Sequence, residues 1–408
     1  MKNVFDILKE RDYIDQVTYE DELRELLGGE PIKFYIGFDA TADSLTLGHF
    51  VQIMVMKHMQ NAGHIPIALL GGGTTRIGDP SGKSDMRKLM SNDFIDHNAN
   101  QFQNQLSRFL DFGEGKAFFV NNGDWLADLN FLDFMREIGV HFSVNRMLQF
   151  DAYKNRLDKG LTFFEFGYML MQSYDYLHLY REYGVKLQLG GSDQWSNILS
   201  GYELVRKLEQ DKVYAMTFKL LTTASGIKMG KTEAGTIWLD PERTSPYEFY
   251  QYLRNCDDRD VAKFMRILTF LPMEEIERLT NVEGQEINHA KEVLAFEVTK
   301  IVHSEEAAIE AQKAAKALFE NGGVDEGSIP FTEMNEADFK DGMPILELLT
   351  KLELIESNSE GRRLIQQNGV QLNDEKAKDF KQVITLEDFE DNKLMIKKGK
   401  KVFHQVRI

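Results

Sequence analysis

The chain has 408 residues, of which 42% are hydrophobic, and a formal net charge of −17. This length and hydrophobic fraction predict a large buried core and more than one domain. The acidic charge argues against broad, nonspecific binding of nucleic acid, so any RNA contact must depend on local basic patches.

The rest of the composition excludes several other classes of protein. The single cysteine, Cys256, excludes an internal disulfide and a cysteine-rich zinc site. Residues 1–10 show an amphipathic helix pattern instead of the apolar core of a signal peptide. No apolar run approaches the roughly 20 residues that a membrane helix needs. We therefore expect a cytoplasmic protein without a membrane partner.

The first chemically informative segment is a predicted strand at residues 34–39, followed by a polar loop and an apolar helix at residues 50–59. Gly48 and His49 lie where this helix begins, and glycine there lowers helix propensity without any gain in packing. The segment is either an ordinary helix start or a site where a nucleotide lies on the helix terminus. In the second case Gly48 admits the base and His49 contacts a phosphate.

A second strand is predicted at residues 65–70, and strand and helix patterns alternate from residue 33 to about residue 219. This alternation predicts a parallel sheet covered by helices. Residues 78–84 approximate a phosphate-binding P-loop, but their first glycine is one residue too close. Pro80 also removes an N–H group where that loop needs one, so a P-loop ATPase is disfavoured.

Residues 131–172 have a mostly helical pattern, and its last part carries an unusual polar face. Tyr168, Gln172 and Asp175 follow one another at i, i+4 and i+7, which is one face of a helix. Packing alone would favour an apolar face. The three polar side chains therefore indicate a lined cavity.

The most informative stretch is residues 187–197, with the sequence LQLGGSDQWSN. It predicts a short strand, a glycine pair, and a helix opened by Ser192 and Asp193. The glycines allow a ligand to approach the backbone, and the helix N-terminus offers N–H groups to an anion. Asp193 and Gln194 are placed to bond a sugar hydroxyl, which suits a nucleotide at the carboxyl end of a parallel sheet. Taken alone, the turn is equally compatible with a plain strand–helix connection.

Two lysines follow in the sequence KMGKT at residues 228–232, within a glycine-rich polar stretch. They form either a solvated turn or a clamp on a charged leaving group. From residue 246 to about residue 320 the pattern is helical, with a break at residues 255–258. A turn-rich acidic linker at residues 321–330 precedes the tail.

The tail has no net charge, so the rest of the chain carries the whole acidic excess. Residues 341–408 contain 12 acidic and 12 basic side chains. Five lysines are concentrated in its last part and two arginines lie on a predicted helix: Lys393, Lys397, Lys398, Lys400, Lys401, Arg362 and Arg363. They form either a solvated charged terminus or a surface for RNA phosphates, whose binding would be sensitive to salt.

Together and in this order, the motifs resemble a known family. The sequence TLGH at residues 46–49 resembles the first signature of the class I aminoacyl-tRNA synthetases, and KMGKT resembles the second. Four further segments narrow the resemblance to the bacterial tyrosyl-tRNA synthetases: residues 35–39, 78–83, 168–175 and 190–195. Thr46 departs from the usual histidine of the first signature, and Gly230 and Thr232 depart from the usual serines of the second.

This resemblance covers nearly the whole chain and implies an α/β fold class. A Rossmann-like parallel-sheet catalytic domain with a helical connective insert is expected at residues 1–220. A helical domain that includes the second signature loop follows at residues 221–325, and a linker at residues 326–342. A small α+β S4-like RNA-binding domain is expected at residues 343–408. The family also implies a homodimer, with residues 131–172 at its interface.

The implied activity is that of a ligase that joins tyrosine to its transfer RNA, with L-tyrosine, ATP and tRNA(Tyr) as partners and Mg²⁺ held mainly by ATP phosphates. The implied tyrosine-binding residues are Tyr35, Asp79, Tyr168, Gln172, Asp175 and Gln188. The implied ATP-binding residues are Gly37, Asp39, Gly48, His49, Gly191, Asp193, Gln194 and Lys231. The implied catalytic residues are Thr41, Thr46, His49, Lys83, Arg87, Lys228, Lys231 and Thr232.

Within the tyrosine subsite, the resemblance assigns Tyr168, Gln172 and Asp79 to the ammonium group, and Asp175 with Tyr35 to the phenol hydroxyl. Two alternatives stay open. A tryptophan-specific enzyme on the same fold is disfavoured, because an indole needs no such pair. A non-catalytic RNA-binding or splicing protein is disfavoured, because four residues of the two signatures and the nucleotide site are retained: Lys228, Lys231, His49 and Asp193.

Overall fold

The computed structural model describes residues 2–81, 90–154, 156–232, 235–282, 284–320, 330–340, 342–352, 354–355, 357–373, 375–390, 392–399 and 402–408. The chain divides into two compact units, Met1–Ile309 and Glu310–Ile408. The first unit spans the predicted catalytic domain and most of the predicted helical domain. The predicted domain limits at residues 220 and 325 therefore stay predictions. Across these ranges, no helix is long and apolar enough to cross a membrane.

The first unit is built on a six-stranded sheet. Its strands are β1 (Ile14–Val17), β2 (Lys33–Phe38), β3 (Ile65–Leu70), β4 (Phe118–Asn121), β5 (Leu187–Gly191) and β6 (Tyr214–Phe218). Their order across the sheet is β1-β6-β5-β2-β3-β4, and all neighbours are parallel except β1, which is antiparallel to β6. The predicted parallel sheet is confirmed, and the antiparallel edge strand β1 is an addition to it.

Helices surround this sheet and continue after it. They are α1 (Val4–Glu10), α2 (Glu20–Leu26), α3 (Leu47–Asn61), α4 (Asn92–Leu106), α5 (Gly123–Leu126), α6 (Phe131–Glu137), α7 (Val144–Met147), α8 (Asp151–Lys154), α9 (Phe163–Phe166), α10 (Tyr168–Tyr183), α11 (Trp195–Glu209), α12 (Pro246–Arg254), α13 (Val261–Leu268), α14 (Met273–Thr280), α15 (Ile287–Val302) and α16 (Glu305–Glu320). A two-stranded ladder, β7 (Lys231–Thr232) with β8 (Gly235–Thr236), lies between α11 and α12. The predicted helical region at residues 131–172 is divided into short helices before α10 begins.

The strand order creates a crevice. α3 leads from β2 to β3, whereas α11 leads from β5 to β6, in the opposite direction across the sheet. Because such connections are right-handed, the two helices cover opposite faces. The chain therefore diverges between β2 and β5, and ligands of open α/β sheets bind outside the carboxyl ends of the strands at such a point.

The second unit has its own small core. Its elements are β9 (Phe331–Glu333), β10 (Met343–Pro344), α17 (Ile345–Lys351), α18 (Asn358–Gln366), β11 (Val370–Leu372), β12 (Glu375–Lys376), β13 (Val383–Ile384), β14 (Lys393–Lys398) and β15 (Val402–Arg407). Five strands form a sheet in the order β12-β11-β14-β15-β9, and β10 pairs with β13. Ile345, Leu348, Ile396 and Val406 are buried together. An α+β arrangement after the helical region agrees with the predicted fold class.

One predicted boundary needs correction. The segment predicted as a linker, residues 326–342, includes β9, which pairs in parallel with β15. Phe339 from the same segment is buried in the core of the second unit. The fold that was predicted to begin at residue 343 therefore includes residues of the predicted linker. The sequence pattern could not predict this strand, because three residues are too few to show strand periodicity and the pairing partner lies more than 70 residues later.

Candidate active site

A cavity of about 370 Å³ opens at the carboxyl ends of β2 and β5. It brings together predicted site residues from widely separated parts of the chain. Those that line it are Tyr35, Gly37, Asp39, Thr41, His49, Asp79, Tyr168, Gln172, Asp175, Gln188, Gly191, Asp193, Gln194 and Lys228. The cavity therefore lies where the strand order predicts a ligand.

The other predicted site residues lie elsewhere or outside the described ranges. Thr46 and Gly48 lie at the beginning of α3 and are not among the residues that line the cavity. Lys231 and Thr232 form β7. Lys83 and Arg87 fall in residues 82–89, outside the described residues.

One end of the cavity is organised around Asp175, a carboxyl group that is only 1% exposed. Asn122 Nδ2 donates to Asp175 Oδ2 at 2.9 Å, and Trp125 Nε1 donates to Asp175 Oδ1 at 2.8 Å. Burial raises the pKa of Asp175 to about 8, although these two hydrogen bonds lower it. The site thus holds a carboxyl group that is buried from solvent and fixed in orientation by two donors.

Four buried polar atoms lack a partner and belong to residues that line this same cavity. They are Tyr35 Oη, Gln52 Oε1, Gln172 Oε1 and Gln188 Oε1. Tyr35 and Gln188 are directly paired across β2 and β5, so their side chains share one face of the sheet. Buried polar groups are almost always hydrogen-bonded, so unpaired ones in a cavity indicate a polar ligand. Burial and the nearby Asp175 raise the pKa of Tyr35 well above its ordinary value, which keeps its hydroxyl protonated.

A second acidic group, Asp79, lies in the cavity at 7% exposure. Gln194 Nε2 donates to Asp79 Oδ2 at 2.6 Å, and the Ser81 N–H donates to Asp79 Oδ1 at 2.9 Å. Asn197 Nδ2 is 3.5 Å from Asp79 Oδ1. This carboxylate is held by the turn after β5 and by the helix that follows, which suits a cationic group of a ligand.

Asp39 lines the cavity and is bonded to a residue that was assigned to the other subsite. Its carboxylate accepts hydrogen bonds from Tyr168 Oη at 2.9 Å and from Thr74 Oγ1 at 2.8 Å. The sequence resemblance assigns Asp39 to the nucleotide and Tyr168 to the amino acid. The structure joins the two side chains by a hydrogen bond, and the assignment of Asp39 to the nucleotide stays a prediction.

His49 is a neutral hydrogen-bond donor at the start of α3. The backbone N–H of Thr46 donates to His49 Nδ1 at 3.0 Å, so Nδ1 carries no proton and Nε2 carries one. The rings of Phe38 and Phe102 flank the imidazole. Burial lowers the pKa of His49 to about 4. Nε2–H is therefore available to an anion throughout the neutral pH range, without a positive charge.

Thr46 has a structural partner. Its hydroxyl lies 3.1 Å from His49 Nδ1, and its backbone bridges to Trp238. The threonine in the place of the usual signature histidine thus orients His49. Its direct contact with a phosphate stays a prediction.

The opposite rim carries the loop lysine. Lys228 Nζ lies 3.7 Å from Asp193 Oδ2, and the lysine side chain is half exposed. Burial raises the pKa of Asp193, while Lys228 opposes that shift. A Cβ atom on Gly37 would meet no atom within 4 Å, so the surface above this strand end is open. A cation, an exposed backbone and a carboxylate therefore meet at this rim, which suits a phosphorylated ligand.

Several side chains at the cavity were not predicted from the sequence: Asn122, Thr74, Gln52 and Ser81 line it, and Trp125 bonds Asp175. Asn122 also donates to Thr74 Oγ1 at 3.0 Å, which links the surroundings of Asp175 to those of Asp39. A usable signal was present, since Asn122 follows β4 and Thr74 follows β3, both at carboxyl strand ends. Among the described residues, no group of three acidic, histidine or cysteine side chains is placed to hold a metal ion.

Comparisons with known proteins agree with one another. Residues 28–320 match the family described as "tRNA synthetases class I (W and Y)", and residues 326–406 match a "Tyrosine--tRNA ligase SYY-like C-terminal domain". Tyrosine–tRNA ligase of Acetivibrio thermocellus is 58% identical over 408 residues, which is 100% of both chains. That of Lachnoclostridium phytofermentans is 58% identical over 407 residues, covering 100% of this chain and 99% of the relative.

Solved structures give the same picture of the fold. A C-terminally truncated mitochondrial tyrosyl-tRNA synthetase of Aspergillus nidulans has a TM-score of 0.70 and 29% identity, covering 78% of this chain and 95% of that chain. A tyrosyl-tRNA synthetase of Archaeoglobus fulgidus, complexed with L-tyrosine, has a TM-score of 0.57 and 18% identity, covering 76% of this chain and 99% of that chain. At 18% identity, the similarity to the Archaeoglobus fulgidus structure supports the fold alone.

Proposed function

Because the chain belongs to the tyrosine–tRNA ligases of the class I tRNA synthetases, we propose that its cavity binds L-tyrosine and ATP side by side. The enzyme activates L-tyrosine with ATP to give tyrosyl-adenylate and pyrophosphate. It then transfers tyrosine to the 3′-terminal adenosine of tRNA(Tyr). What we propose is the set of residues that carries out these steps in this chain.

The observation that carries the proposal is the group of unpaired atoms beside the two carboxyl groups. The phenol hydroxyl of tyrosine is expected to pair with Asp175 and Tyr35 Oη. The ammonium group is expected to pair with Asp79, Tyr168 and Gln172 Oε1. Gln188, across the sheet from Tyr35, would face the body of the substrate. A ligand with one hydroxyl end and one cationic end satisfies these groups, which agrees with L-tyrosine.

Activation needs no general base. The tyrosine carboxylate is ionised at pH 7 and attacks the α-phosphorus of ATP directly. A carboxylate oxygen–phosphorus bond forms, the bond from that phosphorus to the bridging oxygen breaks, and pyrophosphate leaves with the electron pair. Catalysis then depends on positioning and on stabilising the charge that moves onto the leaving group.

The nucleotide end of the cavity supplies these interactions. We propose that His49 Nε2–H donates to a phosphate, and that Thr41, Lys228, Lys231 and Thr232 contact the same leaving group. Lys83 and Arg87 stay proposed pyrophosphate ligands from sequence alone. Gly37, Gly48 and Gly191 would leave room for the nucleotide, and Asp193 and Gln194 would bond its ribose. Mg²⁺ would bind through ATP phosphates and water, since that ion keeps several waters in phosphate sites.

For the second step, we propose that the C-terminal unit contacts tRNA(Tyr) phosphates in the cytoplasm. Arg362 and Arg363 are exposed on α18, and Lys393 and Lys397 lie on β14. Lys398 is tied into the fold instead, because it donates to the Leu354 carbonyl and pairs with Glu360 at 3.0 Å. Lys400 and Lys401 lie outside the described residues.

We also propose a homodimer formed through the region between α6 and α9. Large apolar side chains in that region are exposed: Phe131, Leu132, Met135, Val140, Val144, Leu157, Phe163 and Phe164. Leu132 is 69% exposed and Phe163 is 71% exposed. Clusters of this kind mark surfaces that another protein covers. A second copy of the chain is the occupant that agrees with the family.

ATP–pyrophosphate exchange with tyrosine, phenylalanine and tryptophan tests the assignment of the pocket. Exchange is expected with tyrosine alone, because phenylalanine would leave Asp175 and Tyr35 Oη unpaired in a buried site. Tryptophan offers a single donor and a larger ring. Equal exchange with phenylalanine would remove Asp175 and Tyr35 from hydroxyl recognition, and exchange with tryptophan alone would favour the alternative specificity.

A further inference from the structure

The loop that carries Lys228 is held by hydrogen bonds to the helical segment α12–α13. The Met229 N–H donates to the Leu221 carbonyl at 2.8 Å, and the Met229 side chain is buried. The Ala224 N–H donates to Asp260 Oδ2 at 2.9 Å, and Lys263 Nζ donates to the Thr222 carbonyl at 2.8 Å. The loop thus has several attachments, and these hold its two arms.

The attachment next to the lysines is Gly230. Its N–H donates to the hydroxyl of Tyr252, on α12, at 2.8 Å. Its carbonyl accepts from the Ile237 N–H at 2.8 Å. The glycine has φ +84°, a backbone conformation that residues with a Cβ atom rarely adopt. Both backbone polar groups of this one residue are therefore fixed by partners outside the loop tip.

The same hydrogen bonds continue to the other signature segment. The Leu47 N–H donates to the Ile237 carbonyl at 3.0 Å, and the Leu239 N–H donates to the Leu45 carbonyl at 2.9 Å. A Cβ atom built on Gly230 would lie 3.2 Å from Leu47 Cβ, so the two backbones are in close approach. A continuous series of contacts thus runs from Tyr252 through Gly230 and Ile237 to the first residue of α3.

The geometry points to Tyr252 as a positioning residue for tyrosine activation. Its hydroxyl holds Gly230 between Lys228 and Lys231, and so sets the two lysines relative to His49 on α3. This inference rests on the proposed roles of those residues at the leaving group. Tyr252 is not among the residues that line the tyrosine cavity. Loss of its hydroxyl should therefore slow the chemical step without weakening tyrosine binding.

Tyr252→Phe tests the inference, because it removes only the hydroxyl. We expect kcat for tyrosine-dependent ATP–pyrophosphate exchange to fall about fivefold to tenfold, the effect of about one hydrogen bond. KM for tyrosine should stay within about twofold. Tyr247→Phe is the matched control, since Tyr247 lies on the same helix and its hydroxyl accepts from Gln251 instead of from the loop. It should leave kcat unchanged.

A double-mutant cycle with Lys228→Ala separates positioning from a general loss of structure. If Tyr252 acts through the loop, Tyr252→Phe should reduce kcat much less in the Lys228→Ala background than in the wild type. Equal reductions in both backgrounds, no reduction in the wild type, or an equal loss in Tyr247→Phe would each overturn the inference. Wild-type protein without tyrosine exchange would instead overturn the proposed site itself, on which the inference depends.

Discussion

At the scale of single residues, the site depends on polar groups whose pairing is left incomplete. Asp175 has two donors but is buried from solvent, and the Tyr35 hydroxyl beside it has no partner. A binding site of this kind is held ready for its ligand at a cost in stability. Asn122 and Trp125 direct the carboxyl group, so they belong to the recognition apparatus although they are not expected to touch tyrosine.

This cost gives a pH-dependent prediction for Asp175→Asn. The pKa of Asp175 is raised to about 8 in the folded chain, against about 3.9 in an unfolded one. Between these values the folded state holds a proton that the unfolded state lacks, so the free energy of unfolding falls as pH rises through this window. The asparagine does not titrate. The Tm of the variant relative to wild type should therefore be higher at pH 8 than at pH 5, by about 2 °C or more.

Thermal unfolding of both proteins at the two pH values provides the measurement. A constant penalty from the asparagine amide facing Asn122 or Trp125 would cancel, because only the change between pH values is compared. An identical Tm difference at pH 5 and pH 8 would mean that Asp175 is ionised in the folded enzyme at both values.

At the scale of elements, two segments far apart in sequence act together: the start of α3 and the loop before β7. Their backbones meet at Gly230 and Leu47, which explains why glycine is suited to the third position of the second signature here. A serine at that position would need both the left-handed backbone and space against Leu47. The departure of this chain from the usual signature thus has a local steric reason.

Gly230→Ala tests this contact, and Gly226→Ala is its control. Both glycines have similar positive φ, +84° and +81°, so the conformational strain is alike. A Cβ atom on Gly226 would meet nothing within 4 Å, whereas one on Gly230 would press on Leu47. Gly230→Ala should therefore lower kcat for tyrosine-dependent exchange at least about fivefold more than Gly226→Ala does. Equal losses would attribute the effect to backbone strain alone.

At the scale of the whole molecule, the two units are expected to divide the two steps of the reaction. A truncation should end at Glu320, where the match to the class I family ends, because a cut after Gly342 would leave β9 without β15. The truncated chain should retain tyrosine-dependent exchange and lose tRNA charging by at least about 100-fold, since RNA affinity depends on phosphate contacts. Exchange and charging assays on the same preparation check this. Loss of exchange as well would mean that residues 321–408 support the catalytic fold.

The proposed dimer is tested by Phe163→Asp, which places a charge in the exposed apolar region. The substitution should shift the mass measured by light scattering from dimer toward monomer, because an unpaired carboxylate is costly to bury in an interface. Phe94→Asp is the control, since Phe94 is 46% exposed on α4, outside that region. An unchanged mass for Phe163→Asp, or equal dissociation of the control, would locate the interface elsewhere.

The sequence by itself determined the parallel sheet, the order of the signature motifs and most of the cavity residues. Those features are local, because a buried strand, a glycine at its end and a polar helix start each leave a pattern within about ten residues. The positions of Tyr35, Asp175 and Gln194 on a strand, a helix and a helix start could be predicted from such patterns. The family resemblance then assigned their chemistry.

Tertiary structure alone decided which groups meet. The bonds of Asn122 and Trp125 to Asp175, and of Tyr168 to Asp39, join residues 50 to 129 positions apart. β9 is a strand only because it pairs with β15. The tautomer of His49 is set by the hydrogen bond from the Thr46 N–H to Nδ1. The contact between Tyr252 and Gly230 joins a helix to a loop. Such pairings depend on how elements pack, and the packing of distant elements leaves no periodic pattern in either segment of the chain.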